Sequence, residues 1–241
     1  MKSVYKIPQK IKCLTDERKR KSIPLFNIVM PVLLFLMLQY ESFHTIFSAP
    51  ESMSKRLKNC ISGRIPKVDA VRDLLSRINP DEIRSIHEEM IDIIKRNRVF
   101  REGTIGGYVV AGLDGVELFS STKKSCPNCL SRKKHTGETE YFYRSVVCMI
   151  IGKSPHVILG QEMLKPRDGS GKDEGELTGG KRLIEQLKKR HGHFADVIVA
   201  DALYLNAPFI NTLKENGLEG VIRLKDERRM IFQDAERLFK Q

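Results

Sequence analysis

The second half of the chain alternates between strand-like and helix-like patterns of apolar residues. Three β-branched runs come first and predict strands: 108–114 with a short strand after it at 116–119, then 141–151, and then 156–162. A stripe of leucine and isoleucine predicts a helix over 174–191 that ends at Gly192. The remaining runs predict a strand at 196–201, a helix at 207–216, a strand at 220–225 and a helix at 230–240. This order indicates an α/β fold built on a mixed sheet.

The first third of the chain has a helical pattern, and its most apolar part is 24–47. A membrane span needs about 20 apolar residues, so this stretch raises the question of a membrane anchor. Asn27, Pro31 and Gln39 interrupt or bracket the run. We therefore predict a buried helix that packs against the segment 66–100, in preference to a membrane span.

Two shorter helices are predicted between residues 65 and 100, separated by the break at Asn79-Pro80-Asp81. A pair of helices with a tight turn is compatible with a helix-turn-helix that binds DNA. The outer side of the second helix, however, mixes acidic and basic residues, as an ordinary solvated face does. The pattern therefore favours a hairpin that only packs.

The charge of the chain indicates a polyanionic partner. Its 42 Lys and Arg outnumber its 30 Asp and Glu, which gives a net charge of +12 and a sequence pI near 9.5. Part of the excess lies in residues 1–22, which could be a solubilising arm or a DNA contact. We predict three parts: a basic arm at 1–22, a helical domain at 23–103, and an α/β domain at 104–241.

The five cysteines are too scattered for a secreted disulfide framework, so a cytoplasmic location is expected. Cys126 and Cys129, with His135 nearby, could supply three of the four ligands of a zinc ion, although a second cysteine pair is missing. The alternative is a basic loop that contacts DNA phosphates. Its candidate residues are Lys123, Lys124, Arg132, Lys133 and Lys134.

Two aspartates, Asp114 and Asp201, stand where apolar runs end. If these runs are neighbouring parallel strands, both carboxylates lie at one edge of the sheet and could hold a divalent metal ion. Acidic ligands suit Mg²⁺ or Mn²⁺, and two such ions can stabilise the attacking and leaving oxygens of a phosphodiester. The alternative is structural, because Asp114-Gly115 is also a hairpin signal and Asp201 could merely close a strand.

Several motifs together resemble bacterial DDE transposases of the insertion sequence four group. They are the stretches 113–121 (LDGVELFSS), 126–130 (CPNCL), 141–143 (YFY), 199–203 (VADAL) and 206–208 (NAP). The resemblance covers about residues 60 to 241 and implies a ribonuclease H-like fold, in which the first and fourth strands lie side by side. It also implies DNA transposition, Asp114 and Asp201 as catalytic acids that bind Mg²⁺ or Mn²⁺, transposon ends and target DNA as partners, and a homodimer.

The chain departs from this family at the third catalytic acid. The family places a glutamate on a helix after the last strand, inside a signature of Tyr, Arg, Glu and Lys, and that signature is missing here. Glu236 has a suitable spacing but lacks the flanking residues, which favours a solvated helix position. We therefore expect the amino-terminal part of a longer transposase, which binds DNA without cutting it. The alternatives are a non-catalytic DNA-binding remnant and a membrane-anchored basic protein.

Overall fold

The computed structural model describes residues 4–40, 55, 58–59, 61, 65–152, 154–167, 172–225 and 230–239. The chain divides into two compact units, Met1–Ile93 and Ile94–Gln241. The secondary structure elements as a whole fall into the α/β class.

The first unit is helical, and short amphipathic helices build its core. Its described helices are α1 (Ile7–Lys12), α2 (Leu25–Met37), α3 (Val68–Leu75) and α4 (Pro80–Arg96), the last of which runs on into the second unit. The core consists of Ile7, Ile11, Leu14, Leu25, Ile28, Val32, Val71 and Leu74. Residues 1–22 were predicted to be a basic arm, yet α1 lies within them and three of their apolar side chains belong to this core.

The apolar helix α2 packs against α1 and α3. The contact with α3 is part of the packing predicted against 66–100, whereas the contact with α1 was not predicted. Pro31 lies inside α2 and does not end it, and the helix stops at Met37. The predicted continuation beyond Tyr40 lies outside the described residues. Of the helices that the structure describes, none combines the length and the apolar character that a membrane span requires.

The second unit contains one mixed sheet of six strands. They are β1 (Val110–Ser121), β2 (Leu130–Lys133), β3 (Thr139–Ile151), β4 (Val157–Met163), β5 (Val197–Ala200) and β6 (Glu219–Ile222). β1 lies at the centre, antiparallel to β3 and parallel to β5, and β5 is parallel to β6. β2 and β4 pair antiparallel with different parts of β3. The predicted α/β class with a mixed sheet is therefore confirmed.

The described helices of this unit begin and end close to the predicted positions. They are α5 (Glu176–His191), α6 (Ala207–Glu215) and α7 (Met230–Phe239), with 3₁₀ turns at Val99–Arg101 and Ala202–Tyr204. Asn206 caps α6, because its side chain accepts a hydrogen bond from the Phe209 N–H at 3.0 Å. The predicted strand 220–225 ends earlier, at Ile222.

The prediction of a separate short strand at 116–119 is wrong, and so is the hairpin alternative at Asp114-Gly115. β1 continues through both residues, because β3 pairs with it along its whole length, from Val110 opposite Ile151 to Ser121 opposite Tyr141. The register shifts once, between Glu117 and Phe119. A long partner strand thus overrides a local turn signal.

Helix α5 lies close against the sheet because two of its first residues are glycines. A β-carbon on Gly179 would lie 2.4 Å from Leu164 Cδ2, and one on Gly180 would lie 2.9 Å from Tyr204 Cε1. The next turns bury Leu183, Ile184 and Leu187. This close approach brings the amino-terminal end of α5 down onto the centre of the sheet.

Candidate acidic site where the pairing of strands β1 and β5 ends

Asp114 and Asp201 lie next to each other just beyond the last register pair of the parallel strands β1 and β5. The last register pair between β1 and β5 joins Leu113 to Ala200, and each aspartate is the residue that follows. Leu113 and Ala200 are buried, whereas both aspartates are exposed. The structure therefore brings together the two acids that the sequence analysis singled out.

Backbone N–H groups orient both aspartates. Asp114 Oδ1 accepts a hydrogen bond from the Gly115 N–H at 2.8 Å. Asp201 Oδ1 accepts one from the Leu203 N–H at 2.9 Å and so caps the 3₁₀ turn after β5. Each carboxylate is held by one oxygen, and within the described residues the other oxygen has no hydrogen-bond donor.

A third carboxylate, that of Glu176, lies over Gly115, the residue that follows Asp114. Glu176 is the first residue of α5, and a β-carbon on Gly115 would lie 2.2 Å from its Cδ atom. The Glu176 carboxylate accepts a hydrogen bond from Arg144 Nη1 at 2.9 Å. The sequence analysis did not single out Glu176, because an acidic residue in the first turn of a helix is ordinary.

Tyr204 lies beneath these acids, in the 3₁₀ turn that follows Asp201. Its side chain is 0 % exposed, and within the described residues its hydroxyl has no hydrogen-bond partner. Burial raises the pKa of Tyr204 above its ordinary value, and the charges of Glu176, Asp114 and Asp201 raise it further. A buried hydroxyl without a partner costs about 1–3 kcal/mol, so this one is unusual in a well-packed region.

The arrangement offers oxygen ligands of the kind that Mg²⁺ and Mn²⁺ prefer. Asp114 and Asp201 can approach a cation from adjacent strands. Within the described part of the chain, however, no three His, Cys, Asp or Glu side chains come close enough together to hold a metal ion. The carboxylate of Glu176 is turned towards Arg144.

The basic residues predicted to contact DNA fall into two groups. Arg132 forms ion pairs with Glu117 and Glu140, at 2.9 and 2.7 Å, and Lys134 forms one with Glu140 at 3.0 Å. These two cations are thus partly neutralised. The other three candidates are exposed: Lys123, Lys124 and Lys133.

The cysteine pair predicted as a zinc site is close together, but His135 does not join it. The sulfur atoms of Cys126 and Cys129 are 3.0 Å apart, and Cys126 Sγ is hydrogen-bonded to the Tyr143 hydroxyl. The hydrogen bond with Tyr143, followed by that with Cys129, lowers the pKa of Cys126 below its ordinary value. His135 is exposed, and no three-residue metal cluster includes it in the part of the chain described.

Glu236, the weaker candidate for a third acid, is exposed on α7. None of the residues of that helix is buried. Glu236 therefore shows none of the structural features that hold Glu176 over the central strand.

Comparison with known proteins adds no relative to this description. No protein-family model matches the chain, and neither curated proteins nor solved structures give a match.

Proposed function

We propose that this chain belongs to a metal-dependent DNA transposase of the DDE type. The observation that carries the proposal is the position of Asp114 and Asp201, side by side after the last register pair of two parallel strands. Ribonuclease H-like transposases place their first two catalytic acids at the ends of adjacent strands. The strand order β4-β3-β1-β5-β6, in which β1 and β5 are neighbours, supports a relationship with that fold.

The residues present fit a hard divalent cation. Carboxylate oxygens are its preferred protein ligands, and each aspartate is oriented by a backbone N–H through one oxygen only. The buried hydroxyl of Tyr204, in the turn that follows Asp201, is an unused polar group. Asp114 and Asp201 would hold Mg²⁺ or Mn²⁺, which would activate water and stabilise the charge that develops on the phosphodiester.

The chain itself would contribute orientation and electrostatics. Strand pairing fixes the backbone of Asp114, and the capped turn fixes that of Asp201, so both acids are preorganised before DNA arrives. Arg144, half-buried next to Glu176, supplies a positive charge at the same edge. The exposed Lys123, Lys124 and Lys133 would contact phosphates without reading the base sequence.

A non-catalytic DNA-binding protein is the second candidate. It is favoured by the finding that no three potential metal ligands converge within the described residues. Such a protein would keep the basic residues and the net charge of +12 while lacking strand cleavage.

The two candidates can be separated with supercoiled DNA in Mg²⁺ or Mn²⁺. Catalysis predicts nicking that is lost in Asp114→Asn and in Asp201→Asn, while salt-sensitive DNA binding by both variants is unchanged. Binding without nicking by the unmodified chain supports the non-catalytic protein or the expected amino-terminal part of a longer transposase, and it contradicts catalysis by this chain alone. A chain that shows no salt-dependent affinity for DNA contradicts both candidates.

A further inference from the structure

We propose that Cys126 and Cys129 form a thiol–disulfide exchange site, in which a small disulfide such as oxidised glutathione oxidises the two thiols to one disulfide. The inference does not depend on the proposed function, because it uses none of the acidic residues. Its first support is distance. The two sulfur atoms are 3.0 Å apart, so an S–S bond of about 2.05 Å needs only a small further approach.

The neighbouring strand β3 holds both cysteines in place. The Cys129 N–H donates a hydrogen bond to the Cys126 carbonyl at 3.1 Å, which closes the turn between them. Leu130, the next residue, begins β2 and pairs with Phe142 of β3. Cys126 is tied to the same strand, because its sulfur is hydrogen-bonded to the Tyr143 hydroxyl. The two sulfur atoms therefore meet without the ordering of a longer loop.

The two cysteines differ in their access to solvent. Cys129 is buried, with 9 % of its surface exposed, whereas Cys126 is half-buried. The Tyr143 hydroxyl can donate a hydrogen bond to Cys126 Sγ, and such a bond favours the thiolate, which is the form that attacks disulfides. Cys126 is therefore the attacking thiol, and Cys129 is the thiol that completes the reaction.

The exchange takes place in two steps. First, Cys126 gives its proton to solvent and attacks one sulfur of the small disulfide, so that a mixed disulfide forms and one small thiolate leaves and takes up a proton. Second, Cys129 gives its proton to solvent and attacks Cys126 Sγ, which releases the second small thiol in the same way. Two protein thiols are oxidised to one disulfide, and the small disulfide is reduced to two thiols.

The same geometry argues against a zinc ion as the ligand of the cysteine pair. Two thiolates on one tetrahedral zinc ion lie about 3.8 Å apart, since each Zn–S bond is about 2.3 Å long. The observed separation of the sulfur atoms is shorter. Within the part of the chain that the structure describes, no third His, Cys, Asp or Glu joins the pair to hold a metal ion. Disulfide formation requires no third residue.

The test treats the whole chain with oxidised glutathione and maps the cysteines by peptide mass spectrometry. In the unmodified chain, the disulfide between Cys126 and Cys129 should exceed the glutathione adduct of Cys126 about ten-fold or more, because the second thiol is already in contact. Dithiothreitol should restore both thiols. In Cys129→Ser the second step is lost, and the glutathione adduct of Cys126 should accumulate.

Cys126→Ser is the matched variant, because it removes the attacking thiol from the same turn. Its buried Cys129 should react about ten-fold more slowly than Cys126 does in Cys129→Ser. Cys148, which is 0 % exposed, should stay reduced in the folded chain. Thermal melting checks that both variants are folded, and the mapping of the unmodified chain remains decisive if one of them is not.

Three results would overturn the inference. A glutathione adduct on Cys126 that persists in the unmodified chain as it does in Cys129→Ser means that the pair does not close. A disulfide between Cys126 and any other cysteine, in the same chain or in a second copy, assigns its partner elsewhere. Oxidation that begins only after a chelator has removed bound metal assigns the pair to a metal site instead. All three results leave the acidic site unaffected.

Discussion

The two segments of strand β1 have opposite environments. In the inner segment, Val110–Leu113, β1 has hydrogen-bonded neighbours on both sides, β3 and β5. In the outer segment, Asp114–Ser121, only β3 remains, because β5 ends at Ala200. Leu113 is 2 % exposed, whereas Leu118 is 52 % exposed. The candidate acids lie where β1 passes from the segment that is paired on both sides to the segment that is paired only with β3.

The difference between the two segments explains where an acidic site can form. The inner segment holds the backbone of β1 in a fixed position, because a strand that is paired on both sides cannot shift without breaking the hydrogen bonds to two neighbouring strands. The outer segment supplies access, because its edge beyond the end of β5 has no neighbouring strand among the described residues. Ion pairs rather than apolar contacts support the outer segment, since Glu117 pairs with both Arg132 and Arg144.

The largest effect is expected from truncation of the inner segment. Leu113→Ala removes a side chain that lies under the close approach of α5 at Gly180. The resulting cavity should lower the free energy of unfolding by about 4 kcal/mol. Chemical denaturation measures this loss. Leu118→Ala in the outer segment is the control, and equal losses in both variants would remove the distinction between the segments.

A smaller loss is expected when the buried ion pairs of Arg182, on α5, are broken. Arg182 bonds Glu162 and Glu174, whose side chains are 9 % and 2 % exposed. Arg182→Met leaves both carboxylates without their partner and should cost about 3 kcal/mol in denaturation. Arg132→Met affects the exposed pairs of the outer segment and should cost much less. A larger loss for Arg132→Met would contradict the comparison.

The pH dependence of stability tests whether Glu174 accounts for the loss expected in Arg182→Met. Burial tends to raise the pKa of Glu174, but hydrogen bonds from Arg182 and the Lys165 N–H outweigh it, and the pKa lies below the ordinary 4.5. This contribution is complete above pH 4.5 and is lost as the pH falls through the folded-state pKa. The stability difference between the unmodified chain and Arg182→Met should therefore narrow below pH 4.5. A constant difference would exclude Glu174 as its cause.

The smallest effect is expected on the reactivity of two cysteines, and it does not involve a change in stability. Hydrogen bonds with Tyr143 and Cys129 lower the pKa of Cys126, whereas burial raises the pKa of Cys148 to about 12. Iodoacetamide at neutral pH should modify Cys126 in the folded protein and Cys148 only after unfolding. Peptide mass spectrometry identifies the modified residue. Tyr143→Phe should slow the labelling of Cys126, and an unchanged rate would argue against the hydrogen bond.

Much of this fold follows from local patterns. The helix predicted at 174–191 and the strand predicted at 196–201 are observed at Glu176–His191 and Val197–Ala200, because an amphipathic stripe with a stop signal and a β-branched run are local properties. β2 was not predicted. Its residues 131–133 are polar and exposed, and only the pairing with β3 makes them a strand.

The acidic site was predictable in part for the same reason. Asp114 and Asp201 each end an apolar run, and this position on a strand is visible in the sequence. Glu176 could not be found in that way, because its meeting with Gly115 depends on how α5 packs on the sheet. Tyr204 was not predicted as a site residue either, because only the structure shows that its hydroxyl is buried without a partner among the described residues.

The pairing of β1 with β5 has a consequence for the order in which the protein is made. β1, β3 and β4 can form an antiparallel sheet from neighbouring segments as soon as they are synthesised. β5 joins β1 only after the whole of α5 has followed. Asp114 is thus in place long before Asp201 exists. We expect the acid pair to be absent until β5 has been synthesised, well after the antiparallel part of the sheet can form.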